Sequence, residues 1–95
     1  MKYSVSWLPS AAKDLKEIRD FLDIEAPEQA KGIVTAIYDA AMELDFMPTR
    51  WKHDDEKPEY RRFVVRNKYK IFFQITGDRV IIHHIRHTAR NNEDL

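Results

Sequence analysis

Residues 59–90, EYRRFVVRNKYKIFFQITGDRVIIHHIRHTAR, decide the architecture of this chain. Three runs rich in β-branched and aromatic residues, Arg61 to Arg66, Tyr69 to Thr76 and Val80 to Arg86, are separated by Asn67-Lys68 and by Thr76-Gly77-Asp78-Arg79. Such side chains fit a pleated, half-buried surface, so the stretch predicts three consecutive antiparallel strands. The second connection is the firmer turn, because Gly77 takes a positive φ without steric cost and Asp78 tolerates tight turns. Alternation then sorts the side chains by face. On the first strand Arg62, Val64 and Arg66 oppose Arg61, Phe63 and Val65. On the next, Tyr69, Ile71, Phe73 and Ile75 form an apolar face, with Lys70, Phe72, Gln74 and Thr76 on the other. On the last, a bulge between Ile82 and Ile85 would let Val80, Ile82 and Ile85 share the core face.

The segments before this stretch read as its support. Lys2 to Leu8 alternates, with Tyr3, Val5 and Trp7 on one side, as a half-buried strand does. Pro9 suits the first turn of a helix, where its missing N–H is not needed, and Ala11, Leu15, Ile18 and Leu22 recur at helical spacing. That helix is expected to stop near Ile24, because the residue before Pro27 is pushed out of the α region. A second helix follows with Ala30, Ile33, Val34, Ile37, Ala41 and Leu44 on one stripe. Gly32 weakens it locally and suggests close packing against the first helix. Met42, Phe46 and Met47 are expected to close the core rather than form a binding patch. Met47 to Pro58 reads as a loop, with Asp54-Asp55-Glu56 solvated and Trp51 either capping the core or exposed for contact. The whole is α+β in the order β-α-α-β-β-β. A helical hairpin is packed on one face of a small, mainly antiparallel sheet, and the other face is open. The first strand pairs at an edge of the meander that the sequence does not choose.

Charge is distributed unevenly along this scaffold. Tyr60 to Arg90 holds eight lysines and arginines against the single acid Asp78, while residues 1–59 hold eight bases against thirteen acids, and the chain as a whole is neutral. A basic sheet beside acidic helices points to an anionic partner, either nucleic acid or an acidic protein segment. Ninety-five residues are expected to make one domain, residues 1–95. The absence of cysteine excludes disulfides and zinc–thiolate sites. The N-terminus does not read as a signal peptide, and no apolar run approaches the ~18 residues of a membrane span, so a cytoplasmic protein without membrane contact is expected.

No metal or cofactor is expected. In His83-His84-x-x-His87 the first and last histidines would lie ~13 Å apart on a strand, and no third ligand presents itself. A lone histidine suits proton transfer better, its ordinary pKa being near neutral. His87 and Arg90, with Arg61, Arg62 or Lys70 nearby, would then hold a phosphate and move a proton. The opposing reading makes His87 a strand-end histidine bonded to backbone.

These residues, in order and spacing, resemble the toxins of type II toxin–antitoxin systems in the RelE/ParE superfamily. The resemblance spans nearly the whole chain. It runs from Trp7-Leu8-Pro9, Ala11, Asp14, Leu15 and Ile18 through Pro27-Glu28-Gln29-Ala30 and Pro48. Tyr60-Arg61-Arg62-Phe63-Val64-Val65, Tyr69-Lys70-Ile71-Phe72-Phe73 and Val80-x-Ile82-x-x-Ile85-x-His87-x-x-Arg90 carry most of its weight. It implies a small toxin held inactive in a hetero-oligomer with a cognate antitoxin. Its target is then DNA gyrase, poisoned by binding, as in the ParE branch, or ribosome-bound mRNA, cut in the A site, as in the RelE branch.

For the ribonuclease the resemblance makes Arg61, Lys70, His87 and Arg90 the catalytic candidates. For the poison, Arg61, Arg62, Arg66, Lys70, His87 and Arg90 would form the target-binding surface. Phe63 stands where the ribonuclease branch has a second lysine, and that branch's catalytic tyrosine would fall beyond Leu95. The Arg-Arg-φ-Val-Val run and His87-x-x-Arg90 look more like the ParE branch. The reading therefore favours a non-enzymatic gyrase poison, with the endoribonuclease as its alternative and an inactive antitoxin-binding relative as a third.

Overall fold

The structure, a computed structural model, describes residues 2–89. Its elements are β1 (Ser4–Trp7), α1 (Pro9–Glu25), α2 (Pro27–Met42), β2 (Arg61–Val65), β3 (Tyr69–Thr76) and β4 (Arg79–His87), with single 3₁₀ turns at Glu43–Asp45 and Pro48–Arg50. The four strands form one sheet in the order β1-β4-β3-β2. β2, β3 and β4 are an antiparallel meander, and β1 lies parallel to β4 with Val5 beside Val80 and Trp7 beside Ile82. The edge left open by the sequence is thus the β4 edge. No described helix is long and apolar enough to cross a membrane.

Proline punctuation sets the helices. Pro9 and Pro27 each open one, and Ala26, at φ −151° and ψ 63°, is the single residue between them. Its N–H still donates to Leu22 O at 2.8 Å and its carbonyl accepts from Gln29 N at 2.9 Å. One non-helical residue before a proline therefore ends one helix and starts the next. Ala11 and Leu22 from α1 and Ala30, Ile33, Ile37 and Ala41 from α2 are buried against Ile71, Phe73, Val80, Ile82 and Ile85 of the sheet. Each fully buried large aliphatic or aromatic side chain contributes about 1.5–3 kcal/mol.

The bulge is present and sits at His83. Phe72 pairs with His84 and Phe73 with Ile82, so His83 is the extra residue and Val80, Ile82 and Ile85 all face the helices. The two hairpins differ in their turns. Gly77 adopts φ 60°, as expected, whereas the β2–β3 turn puts two residues with side chains, Arg66 (φ 53°) and Asn67 (φ 58°), in the left-handed region. β2 accordingly ends at Val65, one residue before the expected boundary.

Four expectations need correction. Met42, Phe46 and Met47 do not close the core: they are exposed, Met42 one position past the buried Ala41 on α2 and Phe46 and Met47 beyond the end of the helix. Gly32 is exposed, and a Cβ there would meet nothing within 4 Å, so it mediates no helix contact. Asp54 is not solvated but only 5% exposed. The outer sheet face is not open either, since Phe72 is fully buried on it. Residues 52–54 run back along β2, with Arg62 N donating to Lys52 O and Asp54 N to Tyr60 O, and the loop folds over the sheet. Trp51 takes the capping role, its ring stacked on Phe63 with centroids 5.0 Å apart.

Candidate functional site

The outer sheet face concentrates cations and aromatic rings, and two carboxylates organise them. Asp54 is brought in by the 51–60 loop. Its Oδ2 accepts the backbone N–H groups of Glu56 (3.1 Å) and Lys57 (2.9 Å), which closes the loop in a tight turn, while Oδ1 faces Lys70 Nζ (3.4 Å) and Arg62 Nε (3.3 Å). The Arg62 contact is an ion pair by distance, but its buried Nε–H makes no hydrogen bond. Burial by itself would raise the Asp54 pKa. The Lys57 N–H, the Lys70 charge and the Glu56 N–H outweigh it, and the carboxyl sits below its ordinary range.

Asp14 does the corresponding work at the other side. β1 ends at Trp7, so the second half of β4 has no strand on its β1 side, and α1 fills that place. Ser10 Oγ donates to His83 O at 2.8 Å, and Asp14 Oδ2 accepts Ile85 N–H at 3.0 Å, satisfying the bare edge with side chains. The same oxygen meets Arg86 NH1 at 2.6 Å and His84 Nδ1 at 3.3 Å. Between the two carboxylates Tyr60 packs on His83 (5.0 Å), Phe72 (5.8 Å) and His84 (6.1 Å). Burial, with the neighbouring His84 charge, lowers the His83 pKa, and its buried Nε2 has no hydrogen-bond partner among the described residues.

A groove of about 500 Å³ opens at the end of the sheet where α1 meets α2. Ile18, Leu22, Ile33, Tyr69 and Ile85 line it. Glu17 and Glu25 stand on its helical side, and Lys68, Arg86 and His87 on its strand side. Phe21, 61% exposed, forms part of its lip.

The residues singled out in the sequence divide among these regions. Arg62 and Lys70 come together on the outer face, both held by Asp54. Arg61 has the opposite parity: it pairs with Phe73, and its NH1 donates to the carbonyls of Trp51 (2.6 Å) and Thr49 (3.3 Å). His87 pairs with Tyr69 four rows further on, ~13 Å along the strands, its ring edge-on to Tyr69 and its Nδ1 accepting the Ala89 N–H. Arg66 is exposed at the hairpin tip, and Arg90 lies outside the described residues. Among the described residues of the sheet, Arg66 and Lys68 at the tip and Arg79 at the far turn make no ion pair within the chain.

The two organising carboxylates were not singled out from sequence. Asp14 did carry a signal, since it falls between Ala11 and Ile18 on the buried stripe of α1, where a charge demands a partner. Asp54 carried none, being one of three consecutive acids in an aperiodic loop.

With this geometry in view, comparison with known proteins is specific. A family profile described as the ParE toxin of type II toxin-antitoxin system, parDE, matches residues 5–92. The fold is similar to a chain of the chromosomal ParDE toxin–antitoxin system from P. aeruginosa, with a TM-score of 0.79 and 25% identity over 90% of this chain and 96% of that one. It is also similar in fold to a chain of the toxin–antitoxin complex RelBE2 from Mycobacterium tuberculosis, with a TM-score of 0.70 and 22% identity over 95% of each chain. No curated protein matches the sequence.

Proposed function

This chain belongs to the ParE toxin family of type II toxin–antitoxin systems, and from that premise we propose that it arrests growth by holding DNA gyrase rather than by cutting RNA. A cognate antitoxin keeps it inactive in a hetero-oligomer. The observation that carries the non-enzymatic reading is the scattering of the ribonuclease candidates. Cleavage through a 2′-hydroxyl needs a base, a charge-stabilising cation and an acid converging on one phosphate within hydrogen-bond reach. Here Lys70 is bound to Asp54 on the outer face, Arg61 is bound to backbone carbonyls on the other, and His87, one row from Lys70 but on the Tyr69 face of the sheet, stands four rows from Arg61. A binder needs no such convergence.

The groove suits the antitoxin. Its apolar floor between Glu17 and Glu25 on one side and Lys68 and His87 on the other accepts a segment with apolar side chains and an acid placed toward the strands. The 25% identical P. aeruginosa chain, from a ParDE toxin–antitoxin system, supports an antitoxin partner.

Two measurements made together test the reading. The protein is induced alone in a bacterial host and RNA 5′ ends are mapped, and the purified protein is added to gyrase with plasmid DNA. The expected outcome is growth arrest with accumulation of gyrase-linked DNA breaks and no new RNA ends. New ends inside translated codons, disappearing when translation is blocked, would replace the poison with the ribonuclease.

A further inference from the structure

The far end of α2, opposite the groove, breaks three local rules at once. Met42, at the end of α2, and Phe46 and Met47, just after it, are exposed, Phe46 and Met47 at 54% and 53%, and Tyr38, half-exposed and stacked on Trp7, extends the stripe along the helix. Contiguous apolar side chains on a surface mark contact sites more often than isolated ones do. Asp39 and Glu43 flank this stripe at the C-terminal end of α2, which has no basic residue in its last turn. That end carries partial negative charge and favours cations, so both acids are at the wrong pole. Met47 itself adopts φ 48° and ψ 52°, a left-handed backbone that Gly or Asn takes more readily than a long apolar residue.

Departures from local consistency collect where a contact is worth more than the isolated fold. We infer that this stripe is a docking surface for a protein segment with an apolar face flanked by lysine or arginine. Resting on the toxin reading, the segment belongs to the target that the toxin holds. Charge selects the occupant. Of the three acids around the stripe, only Asp45 meets a cation among the described residues, Lys2 at 3.8 Å, and that pair is exposed. A second copy seated about a two-fold axis would set acid against acid, and a nucleic acid or anionic lipid surface would meet the same repulsion.

The test uses idealised helical peptides as probes, one with a leucine face and lysine flanks and one with leucine and glutamate, titrated into the isotope-labelled protein. The lysine peptide should shift the amides of residues 38–47 and the glutamate peptide should not. Asp39→Lys combined with Glu43→Lys should weaken the lysine peptide at least about tenfold. The same change should raise Tm by about 2–4 °C, because it places cations at the helix C-terminus. Phe46→Ser should abolish the shifts. In cells the double variant should no longer arrest growth while still co-purifying with the antitoxin. Shifts mapping elsewhere, or a double variant that binds or arrests like the wild type, would overturn the docking surface. If the wild type itself causes no arrest, the toxin reading fails and the titration still decides the surface.

Discussion

The outer sheet face and the far end of α2 handle unfavourable groups in opposite ways. On the sheet, Arg62, Lys70, Arg86 and His84 are drawn to two buried carboxylates, so part of the positive charge of the most basic stretch is countered from within. On α2, apolar side chains, mispositioned acids and a left-handed methionine stand uncompensated at the surface. The contrast teaches that a cluster of cations in a sequence is not by itself a cationic surface. Surface charge depends on which acids the fold delivers: Asp14 comes from a helix far away in sequence, and Asp54 from an aperiodic loop folded back over the sheet. Among the described sheet cations, unpaired exposed charge is left at Arg66 and Lys68 at the hairpin tip and at Arg79 in the far turn.

Removing the organising acids should disturb the first region most. Asp54→Ala strips a counter-charge from Lys70 and Arg62 and two acceptor bonds from the loop. Breaking a fully buried pair costs about 3–5 kcal/mol, and because both cations are about a fifth exposed the loss expected here is about 2–3 kcal/mol, read from urea unfolding. Asp14→Ala should cost a similar amount, since it leaves the Ile85 N–H unpaired. A change under about 1 kcal/mol in both would mean that the cations find water instead, and the contrast between the regions would collapse.

Gly32→Ala should stabilise by about 0.5–1 kcal/mol, because the position is helical, exposed and empty around a Cβ. Its thermal melt would show this directly, and a loss of stability would mean that Gly32 makes a contact after all. Arg66→Gly should add about 0.5 kcal/mol by relieving the left-handed backbone. If the tip cation is used for contact, the same variant should weaken growth arrest, so stability and activity would move apart.

The smallest effect concerns pH. His83 in the fold binds its proton less readily than an ordinary histidine near 6.5. The unfolded chain therefore takes up the proton first, and stability falls as pH drops below about 6.5 until the folded histidine titrates as well. Asp54 acts later and in the same direction: its lowered pKa stabilises the fold above about pH 3.8, and that stability is lost as pH falls through the folded value. Comparing urea midpoints at about pH 7.5 and about pH 5.5 for the wild type and His83→Gln should show the first slope only in the wild type.

Much of this molecule follows from local chemistry. Period-2 and period-3.6 patterns fix which residues pair with which solvent, so the element order, the meander, the helical hairpin at Ala26 and the bulge near His83 were legible from side-chain spacing alone. The failures share one cause. Met42 and Phe46 were placed by residue type although Met42 lies one position past the buried Ala41 and Phe46 beyond the end of the helix, and apolar character alone does not tell which way a helix end faces. The β4 edge chosen by β1 depends on where α1 can cover the rest of that strand, which no short-range pattern records.

By itself, then, the sequence determined the α+β order and the apolar sheet face, because these rest on periodicities and turns spanning a few residues, and its motifs carried the resemblance to the family. Only the tertiary structure decided where the positive charge is spent. Asp14 and Asp54 reach their cations across 72 and 16 positions of chain, and the burial of those pairs exists only once helix, loop and sheet have closed on one another.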